Sequence, residues 1–189
     1  MEKFITERIR ASAELKSRLS ENEILIKALK DAAQICLNSL QNGGRIFFCG
    51  NGGSAADAQH LAAELSGRFY YDRKPLAAEA LHTNASFLTA VANDYGYEEI
   101  FSRLLEGNGR QGDVLISLTT SGNSGNILNA LDTASRLHIH TILFSGETGG
   151  KARTKSEVCL LIPSSDTARI QESHILLGHI LCEDRKSTL

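Results

Sequence analysis

"CGNGGSAADAQHLAAELSGR", residues 49–68, follows the apolar run RIFFC (45–49) and decides the fold. An apolar run that ends in Asn51, Gly52 and Gly53 and passes at once into a helical pattern is the strand-to-helix corner of a parallel α/β sheet. The same grammar repeats along the chain. Apolar runs at 76–81, 113–118, 140–145 and 158–162 predict further strands, and helical spacing predicts helices over 54–66, 85–105, 124–136 and 168–182. Two more amphipathic patterns precede the first strand. Phe4, Ile5, Ile9, Leu15 and Leu19 mark a helix over 4–19, and Leu25, Ala28, Leu29, Ala32, Cys36 and Leu40 mark one over 24–40.

Strands that alternate with helices and carry no polar face imply a sheet covered on both sides. The expectation is a five-stranded, doubly wound, flavodoxin-like parallel sheet with helices on both faces and two extra N-terminal helices. A chain of 189 residues, with only Pro75 and Pro163 and no low-complexity linker, is expected to form a single domain over 1–189. Residues 1–42 are then a helical segment available for oligomerisation.

Composition excludes several classes of partner. The net charge of −2 arises from 20 basic and 22 acidic residues without a long block of one sign, so neither nucleic acid nor an acidic membrane is expected. The N-terminal stretch is too charged for a signal peptide and no apolar run approaches a membrane span, which predicts a cytoplasmic protein. Cys36, Cys49, Cys159 and Cys182 lack CxxC spacing and read as buried free thiols.

In a doubly wound sheet, ligands bind beyond the carboxyl ends of the strands. Two loops there have related chemistry: NGGSAAD (51–57) and TTSGNSGN (119–126), each opening a helix. Exposed N–H groups and hydroxyls at a helix start favour an anion, and phosphate is the natural guest. Neither loop has the GxGxxG or GxxxxGK[ST] pattern, so a dinucleotide or nucleoside triphosphate is not indicated. The plainer alternative is that Ser121, Asn123 and Ser124 only cap a helix. His60 and Glu64, four residues apart, share one helix face, and ARIQESHILLGHIL (168–181) carries Gln171, His174 and His179 on another helix. An imidazole and a carboxylate beside a phosphate cradle are the groups needed to move a proton between adjacent sugar carbons.

CGNGGSAADAQHLAAELSGRF, AVANDYG, TTSGNS and ARIQESHILLGHIL, in this order and spacing, resemble the sugar isomerase (SIS) domain of the phosphoheptose isomerase family. The resemblance covers nearly the whole chain. It implies conversion of D-sedoheptulose 7-phosphate to D-glycero-D-manno-heptose 7-phosphate, toward the nucleotide-activated heptose of lipopolysaccharide or capsule. It places one zinc ion per subunit on His60, Glu64, Gln171 and His179. Substrate contacts fall on Asn51, Gly52, Gly53, Ser54, Glu64, Asn93, Asp94, Thr119, Thr120, Ser121, Ser124 and Gln171. Thr119 stands where family members commonly have Ser, and a hydroxyl is kept.

Glu64 and His179 are the catalytic candidates, one moving a proton between C1 and C2 through a cis-enediol and the other assisting at the carbonyl oxygen. Zinc could instead polarise those oxygens, and the two readings compete for Glu64. Gln171 and His179 are eight residues apart, about 12 Å of helical rise, so one of them is expected to come from a neighbouring copy. That agrees with the homotetramer that the resemblance implies. His82, His138, His140 and His174 read as structural or surface residues. Arg68 and Arg169 lie beside the motifs and stay outside the site. Two alternatives share the fold: a protein that binds the bacterial replication initiator, in which the positions of Glu64 and His179 are changed, and a sugar-phosphate sensor attached to a DNA-binding segment. This chain retains both residues, and 1–40 has no basic helix-turn-helix pattern.

Overall fold

The computed structural model describes residues 1–183; the remaining six of the expected 1–189 domain lie outside the described residues. Strands β1 (Ile46–Gly50), β2 (Ala78–Ala80), β3 (Val114–Leu118), β4 (His140–Gly146) and β5 (Val158–Ile162) form a parallel sheet in the order β2-β1-β3-β4-β5. The order reverses between β1 and β3, so residues 51–53 and 119–124 leave the sheet on either side of one crevice.

The strand period of two divides the core between the two faces. Ile46, Phe48, Val114, Ile116, Leu118, Ile142 and Phe144 point to one side, where α1 (Glu2–Ser20), α2 (Glu23–Gln41), α3 (Gly53–Ser66) and α7 (Thr167–Glu183) cover them. Phe47, Cys49, Leu115 and Leu143 point to the other, under α4 (Ala85–Asp94), α5 (Ile100–Asn108) and α6 (Gly125–Arg136). Every residue of β1 and β3 is buried, which is why these segments read as unbroken apolar runs. Each large apolar side chain so buried contributes about 1.5–3 kcal/mol.

Two sequence expectations need correction. The helix expected over 85–105 is two helices, because Gly96 takes φ 102°, which no continuing helix accommodates, and a 3-10 turn at Tyr97–Glu99 follows it. The strand expected over 76–81 is only Ala78–Ala80, an edge strand that begins three residues beyond Pro75. The N-terminal helices form as expected, with the Asn22 side chain accepting the Leu25 N–H at 3.0 Å to start α2. Only the second half of α1 is covered, by burial of Leu15 and Leu19; Phe4, Ile5 and Ile9 remain exposed, as do Ile24 and Ile26 on α2.

All four cysteines are free thiols, three buried and Cys159 half-buried. Burial pushes the Cys49 and Cys182 thiols up to about 12, so neither is a thiolate near neutrality. Among the described residues, no helix is long and apolar enough to cross a membrane.

Candidate active site

Helices α3 and α7 pack side by side and run in the same direction. Ser54 stands opposite Gln171, Leu61 opposite Gly178, and His60 opposite His179. Gly178 permits this close approach: a Cβ there would lie 2.5 Å from the Leu61 side chain, so a larger residue would force that side chain or the helices to shift. Close packing brings two imidazoles and a carboxylate together. His60 Nε2 lies 2.9 Å from His179 Nε2 and 3.1 Å from Glu64 Oε1. The ligand atoms of His60, Glu64 and His179 all fall within 4.8 Å of one another. Ligands of four-coordinate zinc stand about 3.3 Å apart, given bonds of about 2.0–2.1 Å, so the three donors fit a small divalent ion with little movement. This N, N, O set suits zinc and related borderline metals.

The group is neither fully open nor dry. The His60 side chain is 50% exposed and Glu64 18%. The His179 ring is half-buried and lies nearly parallel to Phe69, with centroids 5.5 Å apart and planes at 19°. Asp57, one turn before His60, was not singled out by its sequence pattern. Burial raises its carboxyl above the usual range, opposed in part by His60, and its Oδ2 is buried with no hydrogen-bond partner among the described residues.

Gln171 lies elsewhere. Helix α7 is continuous from Thr167 to Glu183, so Gln171 stands about 12 Å below His179, with its amide 3.4 Å from Ser54 Oγ and against Gly53. One chain therefore assembles three of the four expected metal ligands, and the fourth sits at the start of α3.

The loop after β1 is tied across the crevice. Asn51 and the buried Asn126 exchange a reciprocal pair of amide hydrogen bonds at 2.9 and 2.8 Å, and the Tyr97 hydroxyl donates to Asn51 Oδ1 at 3.0 Å. Neither Asn126 nor Tyr97 was anticipated, since a lone Asn in a helix and a Tyr in a presumed helix carry no periodic signal. In the loop after β3, Thr119 Oγ1 accepts the Gly122 N–H and Ser121 Oγ accepts the Asn123 N–H, each at 3.2 Å. Gly122 touches the Gly149–Gly150 backbone so closely that a Cβ would meet the Gly149 oxygen at 1.9 Å. Ser124 is the N-cap residue of α6, yet its side chain makes no capping bond. Asn93 and Asp94 end α4, exposed, and bond each other at 2.8 Å; among the described residues, neither bonds another site candidate.

Three of the residues set aside behave structurally. Arg169 pairs with Glu172 and donates to the Arg8 carbonyl at 3.0 Å, fastening α1 to α7. His140 pairs with Glu157 at 2.8 Å at the opposite end of the sheet. His174 is fully buried, edge-on to Phe144, and burial lowers it to about 4.

The SIS domain family matches residues 9–146. The phosphoheptose isomerase of Sulfurimonas denitrificans is 48% identical over 97% of this chain and 94% of its own length. That of Helicobacter pylori strain 26695 is 52% identical over 85% of this chain and 84% of its own. Among solved structures, phosphoheptose isomerase GmhA from Neisseria gonorrhoeae superposes with a TM-score of 0.90 at 42% identity, covering 96% of both chains. A phosphoheptose isomerase from Francisella tularensis gives 0.91 at 36% identity over 95% of both. The family model spans both loops and α3, the near-full-length relatives extend beyond it, and the chain belongs to the phosphoheptose isomerase family of SIS-domain proteins.

Proposed function

We propose that this chain isomerises D-sedoheptulose 7-phosphate to D-glycero-D-manno-heptose 7-phosphate. Membership of the family supplies the reaction class, and the convergence of His60, Glu64 and His179 carries the assignment to residues. Glu64 takes a proton from C1 of the ketose and delivers one to C2; His179 donates to the carbonyl oxygen as the cis-enediol forms and takes up the C1 hydroxyl proton as the enediol collapses to the aldose. His60 Nε2 lies 2.9 Å from His179 Nε2 and 3.1 Å from Glu64 Oε1, which keeps the two groups on one face of the site. A zinc ion held by His60, Glu64 and His179 would instead supply Lewis-acid polarisation of the substrate oxygens, taking up the Glu64 carboxylate and His179 nitrogen that the proton-transfer reading uses. The Thr119, Thr120, Ser121 and Ser124 hydroxyls, with the first N–H groups of α6, hold the phosphate. Asn51, Gly52, Gly53, Ser54, Asn93, Asp94 and Gln171 orient the sugar.

The active site is shared between copies in a homotetramer. Support comes from the continuous α7, which keeps Gln171 from the metal group of its own chain, and from the exposed Phe4, Ile5 and Ile9 on α1. Gln171 of a second copy then completes the ligand set.

The direct test incubates sedoheptulose 7-phosphate with the protein, with and without chelator, and detects the aldose phosphate. Glu64→Gln and His179→Gln should each lower turnover by about 10²–10⁴ with the fold retained. Near-normal turnover in either variant overturns its catalytic role. For the shared site, inactive Gln171→Ala and His179→Ala proteins, dissociated and reassembled together, should regain activity. Hybrids that stay inactive while both parents assemble would put both residues in the same chain.

A further inference from the structure

Residues 67–77 connect α3 to β2 without helix or extended strand, apart from an isolated bridge between Phe69 and Tyr71. This strap touches both helices that carry the metal group. Arg73 donates from Nη2 to the Glu64 carbonyl at 2.9 Å and from Nη1 to the Leu65 carbonyl at 2.8 Å. The Leu76 N–H reaches the same Leu65 carbonyl at 3.1 Å. On α7, Phe69 stacks against His179, and the Tyr71 hydroxyl lies 3.5 Å from the Glu183 carbonyl.

These bonds replace an ordinary helix end. A helix leaves its last carbonyls without partners, and a glycine in the left-handed conformation often satisfies them. Gly67 ends α3 at φ −94° and ψ −114°, outside that conformation, and the last turn contains no basic residue. The guanidinium of Arg73 fills both gaps, because its planar fork serves two adjacent carbonyls and its charge opposes the helix dipole. The turn it fastens is the one that carries Glu64.

We propose that Arg73 is a positioning residue: it holds the last turn of α3 so that the Glu64 carboxylate meets His60 and His179, while Phe69 fixes the His179 ring from the same strap. The inference rests on the metal group assigned above, and it can be tested without the isomerase reaction. Protein stripped of metal is titrated with Co²⁺, whose visible absorption reports ligation, and melting is followed in parallel. Arg73→Ala should weaken Co²⁺ binding by about 10–100-fold, the usual effect of losing a group that orients a ligand. Arg73→Lys, which keeps the charge and loses the fork, should recover only part of this. With sedoheptulose 7-phosphate, Arg73→Ala should lower kcat by about 10-fold or more and leave KM within about 3-fold, because the phosphate loop is untouched. Unchanged Co²⁺ affinity in Arg73→Ala, whatever its melting temperature, makes Arg73 a stability cap only and overturns the proposal. If Arg73→Ala does not fold, Arg73→Lys decides: wild-type Co²⁺ affinity overturns the proposal, and a loss supports it. Wild-type protein that binds Co²⁺ yet fails to isomerise the sugar would count against the proposed reaction and leave the role of Arg73 to the titration.

Discussion

The loop after β1 enters α3 with its first amides already bonded: the Ser54 and Ala55 N–H groups reach the carbonyls of Asn51 and Gly52 at 3.0 Å each. Its one amide side chain, Asn51, is held by Asn126 and Tyr97, and Ser54 Oγ is buried beside Gln171. The loop after β3 is braced from behind, by Gly149 and Gly150 against Gly122 and by Asn123 on the Lys151 N–H, and keeps its Ser124 hydroxyl free of the helix it starts. Two loops of similar composition thus do different work. The first is a fixed corner that aims α3, and the second keeps hydroxyls available for the phosphate proposed above.

Substitutions that exchange these phenotypes would break the comparison. Replacing both Ser121 and Ser124 with Ala should weaken phosphosugar binding by about 10²-fold or more, since each hydrogen bond to a charged group is worth about 1.5–3 kcal/mol. Melting temperature should move little, because Ser124 caps nothing and the exposed Ser121 gives up only its bond from the Asn123 N–H. Asn126→Ala should do the reverse. It strands the Asn51 amide across the crevice and should cost about 3 kcal/mol, read as a fall in melting temperature of roughly 6–12 °C. If calorimetry finds Asn126→Ala as stable as wild type, the corner is not fixed by this pair.

The sheet, its helices and both loops were legible because their signals are local: apolar runs, helical periodicity, and small residues at helix starts. The same is true of His60 and Glu64, one turn apart on a single helix. Asn126, Tyr97, Phe69 and Arg73 were not legible, because each acts through a partner at least eight residues away that only the fold brings near. Gly96 shows the limit of periodicity itself. Its apolar neighbours continue a helical pattern across a break that the backbone does not allow.

A smaller effect sharpens a second contrast, between His179 and His174 on one helix. His174 is buried against Phe144; neither ring nitrogen meets a side-chain partner, and the Ser145 backbone offsets less than the burial costs. Its folded value of about 4 lies below the ordinary 6.5, so the unfolded chain takes up the proton first as pH falls. Stability from neutral His174 is therefore complete above about pH 6.5 and is lost as pH falls toward 4. Between pH 7 and pH 5 this amounts to about 2 kcal/mol, and His174→Gln should flatten that part of the denaturation profile. An unchanged slope in the variant would mean that His174 does not drive it.

The central claim is that Glu64 and His179 carry a proton between neighbouring carbons of a heptose phosphate. Conversion of sedoheptulose 7-phosphate in D₂O, followed by NMR of the product, tests it most directly. A carboxylate that exchanges its proton with solvent while passing it through a cis-enediol should leave deuterium at C2 of the aldose, with incorporation abolished together with turnover in Glu64→Gln. Near-normal turnover in Glu64→Gln, with deuterium still entering at C2, would contradict the account.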